Sequence, residues 1–340
     1  MNGTKSNKTI LFEEIIGQEQ AKKKLNFYLD SYKSTRLMPH LALCAPKGQG
    51  KTTLARETAK GLYKFNDDNK IEINEETQKP RRKSFIEINC STLKSVKQFI
   101  NSLIIPYVQD KDVTLLFDEA SEIPKDISMA LLTILNPNPE NRTTFSFDDY
   151  VCEFDFRKCT FIFATSEAQR VFHALLDRLT RIDLEEYTVP EMERILQKNA
   201  KNVVFDPDVL LDIASVLRGN ARAAAKMAGD VKVYLKNKLQ FGNKEWKGLK
   251  DILGILPLGL NPTELTILRH LADNGDGTSL TCLSAKTGLS RESLQRDYEI
   301  YLQRHSLMEI GTTGRQITAK GLEYVRALNG NPTFRSSCVV

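Results

Sequence analysis

Residues Ala45, Pro46, Lys47, Gly48, Gln49, Gly50, Lys51, Thr52 and Thr53 constrain this chain more than any other feature. An apolar run, 40–44, precedes them and a helical pattern, 51–63, follows. Between strand and helix, Gly48 and Gly50 allow backbone N–H groups to turn inward, and the helix N-terminus adds its partial positive charge. The product is a phosphate cradle, a P-loop, which requires this strand–turn–helix setting. Lys51 is placed to reach β- and γ-phosphates, Thr52 to offer its hydroxyl to Mg2+, and Thr53 to lie near the α-phosphate. The usual pattern opens on glycine. Ala45 stands there instead, and its methyl group is expected to strain the loop and weaken binding.

A P-loop needs carboxylates beside it. The run 113–117 is wholly apolar and ends in Asp118 and Glu119, acids that are costly at a strand end unless a cation waits for them. Asp118 is expected to hold Mg2+ through water and Glu119 to polarise the attacking water. Charge building on the γ-phosphate also calls for arginine. Two candidates follow: Arg178, after the run 159–166, and Arg222, at a helix start. Each is also readable as an ordinary surface residue.

The first half alternates short apolar runs (40–44, 85–89, 113–117, 159–164, 181–184) with helical patterns (51–63, 93–104, 127–135). That order predicts βαβ units, a parallel sheet and ligands at the carboxyl ends of its strands. Residues 64–83 interrupt it as a polar insertion ending in Pro80, Arg81, Arg82 and Lys83, read as a solvated run or a DNA contact. Residues 143–156 alternate about Asp148 and Asp149, as a hairpin does. Residues 189–240 are helical throughout, and 257–262 (PLGLNP) reads as a linker. Three helical segments and a β-turn-β follow, which suggests a winged helix-turn-helix, a DNA-reading form.

Composition limits the alternatives. With 41% hydrophobic and 27% charged residues the chain is globular, and it has no apolar run long enough for a membrane span. Its six cysteines lack CxxC spacing, so reduced thiols in a cytoplasmic protein are expected. The net charge of +5 is compatible with nucleic acid and does not establish it.

Together these motifs resemble the AAA+ ATPases, and within them the RuvB type, Holliday-junction branch-migration motors. The resemblance runs from residue 11 to about 324. Ile16-Gly-Gln18 and its surroundings match the segment flanking adenine, Leu258-Gly-Leu260 the join to the winged helix, and Thr313-Gly-Arg315 the wing. It implies an α/β AAA+ core over 1–185, a helical lid over 186–256, a winged helix over 257–328 and a tail over 329–340. It places Arg178 at the arginine finger acting in trans, Arg222 at sensor 2, Thr165 and Ser166 at sensor 1, and Ile16 and Tyr187 against the nucleotide.

ATP and Mg2+ are the implied cofactors. The implied assembly is a homo-oligomeric ring, a hexamer in the family, around duplex or four-way junction DNA. The resemblance allows a RuvA-type partner on hairpin 143–156, through Phe145, Phe147, Tyr150, Cys152, Phe154 and Phe156, a set equally readable as packed on the protein's own core. The competing reading is a nucleotide-switched clamp-loader or initiator-like module that does not translocate. Arg291, Arg296 and Arg315 are the DNA-contact candidates. Only Arg315 remains of the family's wing arginines, and residues 257–330 hold eight Lys/Arg against eight Asp/Glu.

Overall fold

The structure, a computed structural model, describes residues 11–236, 238–275 and 277–329. The expected tail lies outside the described residues apart from its first position. The chain forms two compact units: one runs to Asn202 and takes in Gly219–Lys232, the other comprises Val203–Arg218 and the chain from Val233 onward.

In the first unit five parallel strands form one sheet. They are β1 (Leu41–Cys44), β2 (Ser84–Asn89), β3 (Val113–Asp118), β6 (Cys159–Thr165) and β7 (Thr180–Asp183), in the order β2-β3-β6-β1-β7. Strands β3 and β6 are buried almost throughout, which is why their sequences are continuous apolar runs without alternation. The edge strand β2 is largely exposed and carries Ser84, Glu87 and Asn89.

Successive side chains leave opposite faces of the sheet. Leu115, Phe117, Phe161 and Phe163 pack with Ile127 and Leu131 of α3 (Lys125–Ile134). Leu41, Leu43, Leu116, Ile162 and Ile182 pack with Leu25 and Leu29 of α1 (Glu19–Thr35) and Leu54 of α2 (Lys51–Ala59). Phe117 and Phe163 stack at 4.8 Å, locking neighbouring strands. The register pairs Asn89 with Asp118, Asp118 with Ala164 and Cys44 with Thr165, so all these strand ends reach one edge.

Two segments meet expectation only in part, Pro80, Arg81 and Arg82 being exposed as a solvated run is. Residues 63–82 fold as nested hairpins joined by antiparallel bridges Tyr63–Arg82, Phe65–Ile71 and Ile73–Pro80. Lys83 is neither solvated nor able to touch DNA. It is 4% exposed, its Nζ donates to Arg157 O at 2.7 Å, and it lies 5.1 Å from the Tyr32 ring centroid. Hairpin β4 (Arg142–Phe147) and β5 (Tyr150–Asp155) forms about Asp148 and Asp149. Its apolar set faces inward: Phe145, Cys152, Phe154 and Phe156 belong to the first unit's own core, with Phe147 and Tyr150 packed against it. The expectation that this set docks a partner is therefore corrected. Of its large apolar side chains, Val151 stays outside, 61% exposed.

Burial lowers the Lys83 pKa to about 8, against the pull of Cys159, Asp112 and Asp155 and with repulsion from Arg36. The unfolded chain then holds the extra proton between pH 8 and the ordinary lysine value, so stability rises with pH across that window. A shift of this size corresponds to about 3 kcal/mol. We expect urea unfolding of Lys83→Met between pH 7.5 and 10 to lack this rise, so that the two stability curves converge as pH increases. Parallel curves would refute it.

After α4 (Val189–Asn199) closes that stretch of the first unit, the second starts with α5 (Pro207–Val216), with Asp206 before it and Pro at its first position. The helix Ala221–Leu235, α6, begins in the first unit and ends in the second, and α7 (Asn243–Leu253) follows. Then come α8 (Pro262–Asp273), α9 (Leu280–Thr287) and α10 (Arg291–Ser293, continued by Leu294–Glu299 and Ile300–Arg304). The antiparallel pair β8 (Met308–Gly311) and β9 (Gly314–Ile317) and helix α11 (Ala319–Asn329) complete a winged helix around Leu268, Leu283, Leu294, Leu302 and Leu307. Gly314, at φ 123°, makes the wing possible: a Cβ there would lie 2.7 Å from Thr278 O.

Candidate nucleotide site

The P-loop leaves β1 at its carboxyl end and enters α2 through Gly50, whose φ of 87° is left-handed. Gly48 has φ 84°, and a Cβ on it would sit 2.0 Å from Asn220 Oδ1. Both glycines are thus demanded by conformation, and Gly48 also by close approach. Ala45 behaves differently from expectation. It is absent from the positive-φ residues, its N–H donates to Thr165 O at 3.2 Å, and its methyl joins the core containing Leu54 and Ala164. The predicted strain does not exist.

The loop carbonyls face a cation of the protein itself. Lys51 Nζ donates to Ala45 O at 2.7 Å and Pro46 O at 3.0 Å. Burial lowers the Lys51 pKa, with Asp118 pulling the other way and Arg222 adding to the depression. An anion in the cradle would restore the ammonium's favourable surroundings. Thr52 Oγ1 donates to Asp118 Oδ2 at 3.0 Å, and the Glu119 N–H donates to Asp118 Oδ1 at 3.0 Å. A hydroxyl and a carboxylate meeting beside a phosphate cradle form the oxygen donor set that suits Mg2+. Glu119 adopts left-handed backbone, φ 56°, which projects it beyond the strand into an exposed position.

These groups share one cleft of about 800 Å³. Lys47, Gly48, Gly50, Lys51, Thr52 and Thr53 line it together with Asp118, Glu119, Thr165, Ser166 and Arg222. Ile16, Leu184, Tyr187 and Ile195 add apolar lining of the kind that suits a base. The buried Thr165 hydroxyl accepts from Glu167 N at 3.0 Å.

Of the expected site residues, Ala45, Pro46, Gln49 and Arg178 do not line the cleft. Gln49 braces the loop from behind: its Nε2 donates to Gly219 O at 2.9 Å, and its carbonyl accepts from Tyr187 Oη at 3.3 Å. Arg178 follows the short helix His173–Leu176, and its Nη1 donates to Ala174 O at 2.8 Å.

Sequence reasoning missed several participants. Asn220 Nδ2 donates to Lys47 O at 3.2 Å, and Arg222 N donates to Gly48 O at 3.3 Å, so 219–222 grips the loop by main chain and amides as well as through Arg222. Gln18 fixes residue 185 by a paired bond, Nε2 to Glu185 O and Glu185 N to Oε1. The Gly219-Asn220 pair before a helix was the available signal for the first. The Gln18 bond spans 167 positions and had none.

The DNA-contact candidates belong to the second unit. Arg291 is exposed at the start of α10. Arg296 is paired with Asp297 at 2.8 Å, and Arg315 makes a two-toothed pair with Glu299 at 2.7 and 3.2 Å, with its side chain 12% exposed.

Sheet order, P-loop, Thr52–Asp118 pair and the following helices define an ATPase of the AAA class. The family model for the ATPase family associated with various cellular activities matches residues 41–188, and that for the RuvB C-terminal winged helix domain matches 257–326. The chain thus carries an AAA ATPase domain followed by a RuvB-type winged helix domain. Similar proteins include the Holliday junction branch migration complex subunit RuvB of Lactobacillus helveticus, 23% identical with 91% of this chain and 85% of that protein aligned. The protein of the same name from Mycoplasmopsis pulmonis is 25% identical, covering 93% and 96%. The solved Thermotoga maritima RuvB Holliday junction branch migration motor has the same fold, with a TM-score of 0.71 and 22% identity over 92% of this chain and 96% of that one.

Proposed function

We propose that this chain is an ATP-driven motor that moves duplex DNA through a four-way junction, in recombination and repair. The observation that carries the reading is the pairing, in one chain, of the Thr52–Asp118 site beside a P-loop with a RuvB-type winged helix at 257–326. A clamp loader would have a helical collar in the winged helix's place.

In this reading Lys51 and the loop N–H groups hold the phosphates, and Thr52 and Asp118 would hold Mg2+. Glu119 orients and deprotonates water, helped by Thr165 and Ser166, and Arg222 senses the γ-phosphate. Ile16 and Tyr187 bound the base. Arg178 serves a neighbouring subunit's site, which requires a homo-oligomeric ring, a hexamer by family resemblance. The lid is assigned to 186–256. Arg291 is the first choice for a phosphate contact, because Arg296 and Arg315 already have carboxylate partners.

A RuvA-type junction-binding protein is the proposed partner, and any use of hairpin 142–155 falls to its outer face, with Thr144, Ser146, Val151 and Glu153. Among the described residues no helix is long and apolar enough to cross a membrane, and the cytoplasm is the proposed compartment.

The test is a labelled four-way junction incubated with the chain, a RuvA-type partner, Mg2+ and ATP. Duplex products should appear with ATP and not with Lys51→Ala. DNA-stimulated hydrolysis that leaves junctions intact would replace the motor with a nucleotide switch.

A further inference from the structure

The sequence marks 257–262 as a linker, and linkers are expected to be loose. This one is pinned at successive carbonyls. Tyr324 Oη donates to Pro257 O at 2.8 Å, Tyr301 Oη to Leu258 O at 2.6 Å, and Arg218 Nη2 to Gly259 O. Leu258 and Gly259 both have left-handed backbone, φ 59° and 69°, and a Cβ on Gly259 would lie 2.8 Å from Val216 O at the end of α5. The strap therefore has one conformation and a close backbone neighbour.

Arg218 is the centre of this arrangement. Its guanidinium makes two bonds of 2.7 Å to Glu264, which is fully buried, and its Cζ lies 3.5 Å from the Tyr301 ring centroid. Glu264 also caps α8, accepting from Asn261 N at 2.8 Å. One arginine so ties the end of α5 to α8 and α10 of the winged helix. A buried carboxylate, a carbonyl and an aromatic face match the planar guanidinium in a way an ammonium cannot reproduce.

The next residue begins the grip on the P-loop. Gly219 O, Asn220 Nδ2 and Arg222 N bond to Gln49, Lys47 and Gly48 respectively. Arg218 and Gly219, at φ 56° and 62°, are also where the chain passes from one compact unit to the other. We propose that Arg218 is a positioning residue: it makes the winged helix follow α5, so that changes in residues 219–222 on nucleotide binding are delivered to the DNA-binding domain. The proposal rests on the reading of the P-loop as an ATP site and of the winged helix as the DNA element.

Backbone hydrogen exchange of the full chain, with and without a non-hydrolysable ATP analogue, tests it without DNA or a partner. In the wild type the analogue should protect the P-loop and also change exchange across 257–264. Arg218→Lys should keep the first response and lose the second. Tyr324→Phe, which frees Pro257 O and leaves Arg218 untouched, should keep both. A response at 257–264 that survives Arg218→Lys, or that Tyr324→Phe also abolishes, overturns the proposal; so does a wild type in which the P-loop responds and 257–264 does not. If the wild-type P-loop itself is not protected, the ATP-site reading fails and the proposal with it, an outcome separate from the others.

Discussion

Glu119→Gln should bind ATP as the wild type does and turn it over about 100-fold to 1,000-fold more slowly, the usual worth of a positioned general base. In the proposed mechanism the two acids at the end of β3 have separate work. Asp118 is committed on both oxygens, to Thr52 Oγ1 and to the Glu119 N–H, so its charge serves the place where a cation would sit. Glu119, with its left-handed backbone, is an exposed carboxylate in the lining of the cleft. Replacing it by the isosteric amide removes a base without disturbing the cradle. Phosphate release and binding of a fluorescent ATP analogue, measured on the same preparation, separate the two effects. Turnover within threefold of wild type would remove Glu119 from the catalytic role, and weakened binding would move it into the phosphate site.

How much of this was legible beforehand depended on the kind of signal. The strands under the site were readable because burial on both faces makes β3 and β6 continuous apolar runs, and acids or a P-loop at their ends mark the functional edge. Hairpin 142–155 was readable from alternation about Asp148-Asp149. Alternation says which side chains share a face, however, and not whether that face meets core or solvent. Phe145 and Phe154 accordingly proved to be core residues.

The charged residues were the least legible. Lys83, Arg218 and Arg315 look alike in sequence, but their surroundings differ: the backbone carbonyl of Arg157, a buried glutamate 46 positions away, and a glutamate on α10. Nothing local marks a residue whose partner is distant. Ala45 shows the opposite error. A departure from the motif looked costly because the motif prescribes glycine, yet Ala45 avoids the left-handed region in which a methyl group would matter.

One further charged residue, Arg178, carries the largest expected effect. Arg178→Ala should lower turnover by roughly 1,000-fold or more, the usual worth of an arginine finger, with nucleotide binding unchanged. Its own cleft does not include it: Arg178 bonds to Ala174 O, its Nε is buried without a partner, and no carboxylate pairs with it among the described residues. The half-buried guanidinium therefore keeps donors open to an anion from outside its own subunit. In the proposed ring a neighbouring subunit's γ-phosphate is that anion.

Mixing distinguishes this from a structural role. An Arg178→Ala subunit keeps Glu119, and a Glu119→Gln subunit keeps Arg178. Equal amounts of these two inactive proteins, combined in a head-to-tail assembly, should recover turnover at roughly a quarter of the sites, those pairing an intact Glu119 with a neighbour's Arg178. A finger acting within its own subunit leaves every mixed site dead. Recovery on mixing therefore identifies the neighbour as the source of the charge, and its absence, with both variants folded and binding ATP, returns Arg178 to its own subunit.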